Sequence, residues 1–371
     1  MINGLGLIFS NIHEDRLREI TNNRTMASVP FGGRYRIVDF VLSNMTNAGI
    51  NTVGIITKTN YQSLMDHVGS GKEWNLARKN GGLHFLPPYG RTTGNFVYKG
   101  KVQALKGVFE FLSKTRERYV VLSDCDIVAG IDLDAVFDFH IKKRADITMM
   151  YTVKQITKEE ASGSTLLNVD FDDRVFKMIN RGSEEGYQKV SMNVWIMEKS
   201  FLMALIDEAS VQGARHIEEE VLAPRLRQLK IYGFRFNGYS AKIDSMANYY
   251  ARNMDLLDRD VRNKLFGGKR IYTKIKDEVP TYYDRQCKVS NSLVGDGCII
   301  EGTVKNSILF RGVKVEKGAV VENSILMQDS TICEYAHLNA VILDKNVVIK
   351  NNRNLSGHET YPLYVSKGGV I

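Results

Sequence analysis

Several things are scarce in this sequence, and each scarcity excludes a class of protein. Only four cysteines, Cys125, Cys287, Cys298 and Cys333, occur among 371 residues. None forms a paired C-x-x-C spacing, which argues against a zinc site and a disulfide framework and leaves them as reduced, structural thiols. No apolar run approaches the ~20 residues of a membrane span, and the N-terminus lacks the basic stretch followed by an apolar one that marks a secretory signal. A cytoplasmic protein with no membrane partner is expected. The formal charge of +8 comes without a dense basic cluster or a nucleic-acid motif, so no nucleic-acid partner is expected either.

Glycine is missing where it would matter most. The apolar run Leu5 to Phe9 reads as a first strand, and Asn11-Ile12-His13-Glu14-Asp15-Arg16-Leu17 follows it, in the place where a triphosphate would be wrapped. A phosphate cradle needs glycines, whose backbone N–H groups approach oxygen with no Cβ in the way. Ile12 is branched instead, and Glu14 and Asp15 carry the wrong charge.

What is present divides the chain in two. A hydrophobic content of 43% over this length supports a full core and more than one domain. From residue 1 to 265, apolar runs alternate with amphipathic ones: Val53 to Thr57, Val102 to Leu112, Tyr119 to Leu122, Leu133 to Lys143 and Ile147 to Val153. That alternation predicts an α/β domain with a mostly parallel, Rossmann-like sheet, binding its ligand beyond the strands' carboxyl ends, after Phe9 and Leu122. A hairpin is expected around Asp172-Asp173, a strand over Val190 to Met197 with a helix from about Ser200, and a last helix over Ser245 to Leu257.

Residues 266–284, with Gly267-Gly268, Pro280 and many charges, read as a linker. Over 285–371 the period changes. Asn291-Ser292-Leu293-Val294, Asn306-Ser307-Ile308-Leu309, Asn323-Ser324-Ile325-Leu326 and Asn339-Ala340-Val341-Ile342 recur at intervals of 15, 17 and 16. Such hexapeptide-like repeats predict a left-handed parallel β-helix, a solenoid whose open end favours oligomerisation. Solenoids of this kind also carry acyltransferases with a histidine base, but His337 is the only histidine between Asn291 and Ile342. Nothing adjacent in sequence would orient it, so a scaffold is the favoured reading.

The run Ser28-Val29-Pro30-Phe31-Gly32-Gly33-Arg34-Tyr35-Arg36-Ile37-Val38-Asp39-Phe40-Val41-Leu42-Ser43-Asn44, with Asn47-Ala48-Gly49-Ile50, closely resembles bacterial ADP-glucose pyrophosphorylase, glucose-1-phosphate adenylyltransferase. The likeness continues through Tyr119 to Asp124, Ser191-Met192-Asn193-Val194-Trp195 and the repeats. Within that family it is most similar to the regulatory D-type subunit. The resemblance implies glycogen biosynthesis, with ATP and glucose 1-phosphate giving ADP-glucose and pyrophosphate.

It also shows what has been replaced. Of the family's triphosphate loop only Arg16 remains, and Met26 stands where a lysine follows. The catalytic aspartate of the Gly-Asp-His segment aligns with Cys125, flanked by Asp124 and Asp126, and Lys242 falls on a second metal-binding aspartate. Arg181 matches a sugar-phosphate lysine, whereas Glu219 stands where a lysine is expected. Arg24 and Arg36 match positions of an activator pocket for phosphorylated sugars, in which Asn23 and Pro30 replace a lysine and a histidine.

The expectation is therefore a regulatory, catalytically deficient subunit that holds no cofactor tightly and binds no metal of its own. It would join a catalytic subunit, which carries the Mg2+, in a hetero-oligomer, expected as a tetramer, and could respond to a phosphorylated-sugar effector. Two other readings stay open: an active sugar-1-phosphate nucleotidyltransferase using Asp124 or Asp126 as metal ligand, and an interaction protein or acyltransferase built on the solenoid.

Overall fold

A computed structural model describes residues 2–12, 17–88 and 98–371. The apolar run at the N-terminus forms β1 (Gly4–Phe9), buried along its whole length. Leu5, Leu7 and Phe9 enter one core and Ile8 the other, as the two-residue alternation of a strand covered on both faces requires. In chain order the sheet continues with β2 (Thr52–Ile56), β3 (Gly82–Leu86), β4 (Tyr119–Asp124), β5 (Ile147–Ile156), β6 (Thr165–Val169), β7 (Val175–Asn180), β8 (Gly186–Glu198) and β9 (Ile231–Arg235). The nine strands order as β7-β6-β8-β4-β1-β2-β3, with β5 pairing β8 and β9 pairing β5.

β1, β2, β3 and β4 run parallel, so their carboxyl ends open on one edge. Long β8 enters antiparallel to β4 and β5 and carries an irregularity between Ser191 and Trp195. The expected hairpin joins β6 to β7: Asp170 Oδ1 accepts from the backbone N–H groups of Asp172 and Arg174, both at 2.9 Å. The amphipathic stretch from Val102 to Leu112 forms two helices, α1 (Lys101–Gly107) and Phe109–Lys114.

The C-terminal part is the left-handed parallel β-helix that the repeats predict, with three parallel sheets of five short strands each. Inward Val, Ile and Leu residues, from Ile300 and Val304 to Val347 and Ile349, fill its interior. Asn291, Asn306 and Asn323 turn successive corners in the left-handed region, and their carboxamides form a ladder reaching Asn339. The fourth repeat needs correction. Asn339 lies in a strand opposite Glu322, and Ala340 takes the corner at φ 51°, one residue later than the spacing implies. His337 opens the strand His337–Asn339 and is exposed.

The solenoid docks on the N-terminal domain through Ile308, Phe310, Ile325, Met327 and Ile342, which join the same core as Ile8 and Phe40. The chain between helix Arg259–Phe266 and the first solenoid strand, Tyr282–Tyr283, is tied down: Ser43 Oγ accepts from Tyr272 N–H at 2.8 Å, and Asn47 Nδ2 donates to Arg270 O at 2.9 Å.

Candidate functional site

A cleft of about 490 Å³ opens at the carboxyl ends of β1 and β2, a size suited to a small phosphorylated molecule. Its walls come from Ser10 and Asn11 after β1, Lys58 after β2, Lys101 of α1, Ser164 before β6, Arg181 after β7 and Asn193 in β8. The turn holding Glu218 and Glu219, together with Asp244, completes them. Asn11 stitches two strand ends together, accepting from Lys58 N–H at 3.0 Å and donating to Thr59 O at 3.1 Å. Ile12 packs against the apolar core beside α1. Arg16 lies outside the described residues, as do His13, Glu14 and Asp15, so the expected phosphate contact at Arg16 has no geometry here.

At the end of β4 the three candidate residues part company. Asp124 shares the face of Val120 and Leu122, and its Oδ2 is 2.9 Å from the Nζ of Lys101, which lines the cleft. Cys125 falls on the opposite face, buried in the core with Val121 and Ile8, and burial, reinforced by Asp126 and Asp124, pushes its thiol pKa well up. Asp126 is fully buried, and its backbone carbonyl accepts from Ile243 N–H at 2.7 Å.

Lys101 has two kinds of neighbour. Its ammonium touches Asp124 and, at 2.7 Å, Glu218 Oε1, and it lies 5.6 Å from the Phe9 ring centroid and 5.0 Å from that of Trp195. Burial alone would pull its pKa down, but the Coulombic attraction of Asp124 and Glu218 wins and holds it above the ordinary lysine value. Glu218 comes from a π-helical turn, Ile217–Leu222, a geometry that proteins often keep at working sites. Sequence reasoning missed Lys101. The signal was available: Lys101, Ala104, Leu105 and Val108 share one helical face, so this lysine lies on an apolar stripe.

Lys242 is also buried, donating to Gly163 O and Ser164 Oγ, each at 2.8 Å, with Asp244 Oδ2 at 3.7 Å. Arg181 and Glu219 meet each other across the rim at 3.4 Å, in a half-exposed pair.

Arg24 and Arg36 lie away from this cleft, at the junction with the solenoid. Arg24 is 3% exposed and directs Nη2 at both oxygens of Asp344, each at 2.7 Å. Tyr364 donates to the same carboxylate at 2.8 Å. Arg36 Nη1 donates to Ser63 O at 2.5 Å and Ser63 Oγ at 3.0 Å, and burial lowers its pKa to about 10. Lys345 is pushed down to about 7 by burial and then by the charges of Arg36 and Arg24.

Comparison with known proteins places this geometry. A nucleotidyl transferase family model matches residues 13–239, and a GlmU-like C-terminal hexapeptide model matches 278–369. The chain is 35% identical over 326 residues to a glucose-1-phosphate adenylyltransferase of Geobacillus stearothermophilus, covering 86% of this chain and 83% of that protein. It belongs to the glucose-1-phosphate adenylyltransferase family. The glycogen biosynthesis protein GlgD of Bacillus subtilis is 34% identical over 368 residues, covering 99% of this chain and 96% of its own. A Bacillus mycoides glucose-1-phosphate adenylyltransferase is 33% identical over 91% of this chain and 90% of its own. Among the described residues no helix is long and apolar enough to cross a membrane.

Adenylyl transfer in such a family implies a magnesium ion, and the residues here do not fit one. Magnesium asks for hard oxygen ligands in near-octahedral array. The Cys125 thiol, expected at the place of the catalytic aspartate, is buried in the core, and Lys242, expected at the second position, brings an ammonium. The carboxylates of Asp124 and Glu218 are already bridged by Lys101, and among the described residues no group of three or more His, Cys, Asp or Glu converges on a metal-sized site.

Proposed function

We propose that this chain is a regulatory, catalytically deficient subunit of glucose-1-phosphate adenylyltransferase in glycogen biosynthesis, and that it activates a catalytic partner subunit within a hetero-oligomer. The observation that carries this reading is what stands on the two expected metal-ligand positions: the Cys125 thiol is buried in the core, and the Lys242 ammonium is bonded to Gly163 O and Ser164 Oγ. In-line transfer depends on cations placed at the phosphate, with little covalent help from the protein. Removing one such stabilising contact commonly costs about 10²–10³ in rate, and here the metal-binding aspartates are replaced by Cys125 and Lys242 together. The Mg2+ chemistry is accordingly assigned to the partner.

Activation then works through the interface, with this subunit binding the partner's active form more tightly than its inactive one. The solenoid supports such assembly because its first coil, from Tyr282 to Val294, leaves strand edges open. Since Arg24 is committed to Asp344, Arg36 and Lys345 remain as the junction's cations for a phosphorylated-sugar effector. An active nucleotidyltransferase using Asp124 gains no support from a carboxylate already paired with Lys101.

The test is an assay of ADP-glucose formation with the purified chain alone, with the catalytic homologue alone and with both mixed. Activity of this chain alone at least a hundredfold below that of the mixture, with the mixture exceeding the homologue alone, is expected. Vigorous turnover by the isolated chain, or no gain on mixing, rejects the reading.

A further inference from the structure

One ammonium group in the cleft lining is held from several sides. Lys101 from α1, Asp124 from β4, Glu218 from the π-helical turn, Phe9 from β1 and Trp195 from β8 converge, so five separate parts of the fold position a single charge. The side chains of Lys101, Asp124 and Glu218 are 10%, 1% and 14% exposed, so the carboxylates need a cation close by. A divalent ion there would draw oxygen ligands only from the two carboxylates and from water, since two sides are aromatic. An ammonium tolerates aromatic faces and is attracted by their quadrupole.

We propose that Lys101 is a tethered replacement for the divalent cation, so that the cleft takes a nucleotide diphosphate sugar without a metal. Lys101 bridges Asp124 and Glu218 permanently, as an ion would do transiently. The phosphate oxygens are then met by side chains already on the rim: Lys58, Lys99 and Arg181 line the cleft. Arg181 exchanges its exposed partner Glu219 for phosphate at little cost, since such pairs are weak in water. The proposal rests on reading the cleft as the family's nucleotide-sugar site, and the experiment separates the two.

ADP-glucose is titrated calorimetrically into the full chain, once in magnesium and once in EDTA. The expected result is equal affinity within about twofold, and Lys101→Met should convert this into binding at least about tenfold tighter in magnesium than in EDTA. That change appears because Asp124 and Glu218 then recruit the ion themselves; loss of a merely structural contact would weaken binding equally in both buffers. Lys101→Arg, which keeps the charge, retains magnesium independence. Wild-type binding that tightens about tenfold in magnesium overturns the proposal and leaves the cleft reading intact, and this comparison needs no variant to fold. No binding in either buffer overturns both. Equal affinities in Lys101→Met as well as wild type remove Lys101 from the role.

Discussion

Removing the carboxylate of Asp344 is the sharpest probe of how the two domains hold together. Arg24 and Asp344 are separated by 320 residues, each side chain is 3% exposed, and the guanidinium lies 2.7 Å from both carboxylate oxygens. Asp344→Ala leaves that guanidinium buried without a counter-charge, beside Arg36 and Lys345, and it also takes an acceptor from the Tyr364 hydroxyl. Breaking one side of a buried pair costs about 3–5 kcal/mol, because the surviving charge can neither ionise comfortably nor reach water. Replacing both partners with apolar groups, Arg24→Met with Asp344→Leu, should recover most of this and give a coupling energy of about 2–3 kcal/mol. Urea denaturation followed by fluorescence of Trp74 and Trp195, both in the N-terminal domain, and by circular dichroism measures the effect. A single-variant cost below about 1 kcal/mol, or additive effects in the double variant, would show that the junction does not depend on this pair.

Lys345 gives a pH signature of its own. Its folded pKa of about 7 lies below the unfolded value of ~10.4, so between these limits the unfolded chain holds the extra proton and stability rises with pH. Lys345→Met should flatten that slope and stabilise most near pH ~6, where the ammonium is charged in both states; equal slopes in variant and wild type refute it. At the fourth solenoid corner, Ala340 sits at φ 51°, a conformation that costs an L-residue roughly 1–2 kcal/mol, and Ala340→Gly should raise the denaturation midpoint by relieving part of this. Gly54→Ala should do the reverse, by about 1–3 kcal/mol, because the added methyl would meet Leu86 at 2.7 Å, Leu7 at 3.0 Å and Phe111 at 3.1 Å. An unchanged midpoint for either variant contradicts the packing described.

Local sequence pattern announces much of this architecture. The Asp-rich hairpin and the Asn-Ser repeats announce elements whose neighbours are near in sequence, and the apolar run at Leu5 to Phe9 announces a strand buried on both faces. The repeat failed only at Ala340, where corner residue and sequence motif come apart: Asn339 is drawn into the ladder as acceptor for Asn323 while the turn itself moves to its neighbour. Alignment placed Cys125 at the decisive position, but the orientation of Asp124 followed from strand alternation, since Val120, Leu122 and Asp124 share one face. The pairs Lys101–Glu218 and Arg24–Asp344 were out of reach because they join segments distant in the chain. Periodicity reports which face a side chain occupies; it does not say who waits on the other side.

Lys101 meets Asp124 and Glu218, Arg24 meets Asp344, and Arg181 meets Glu219, each charge balanced from within the chain. An enzyme that turns over phosphates must leave cations and carboxylates poised for ligand and metal, and it carries the resulting repulsion as lost stability. Here the cleft's buried ammonium has two carboxylate partners in place, which makes this arrangement stable in the unliganded molecule. The junction keeps a visible surplus, in the depressed pKa of Lys345 beside Arg36 and Arg24. Stability and reactivity thus divide between two places: a cleft whose buried ammonium is already paired beneath a rim of cations, and a domain boundary that buries surplus positive charge. A subunit that influences a partner through its interfaces needs the second far more than the first, since differential binding at a boundary can shift an equilibrium with no chemistry in the cleft.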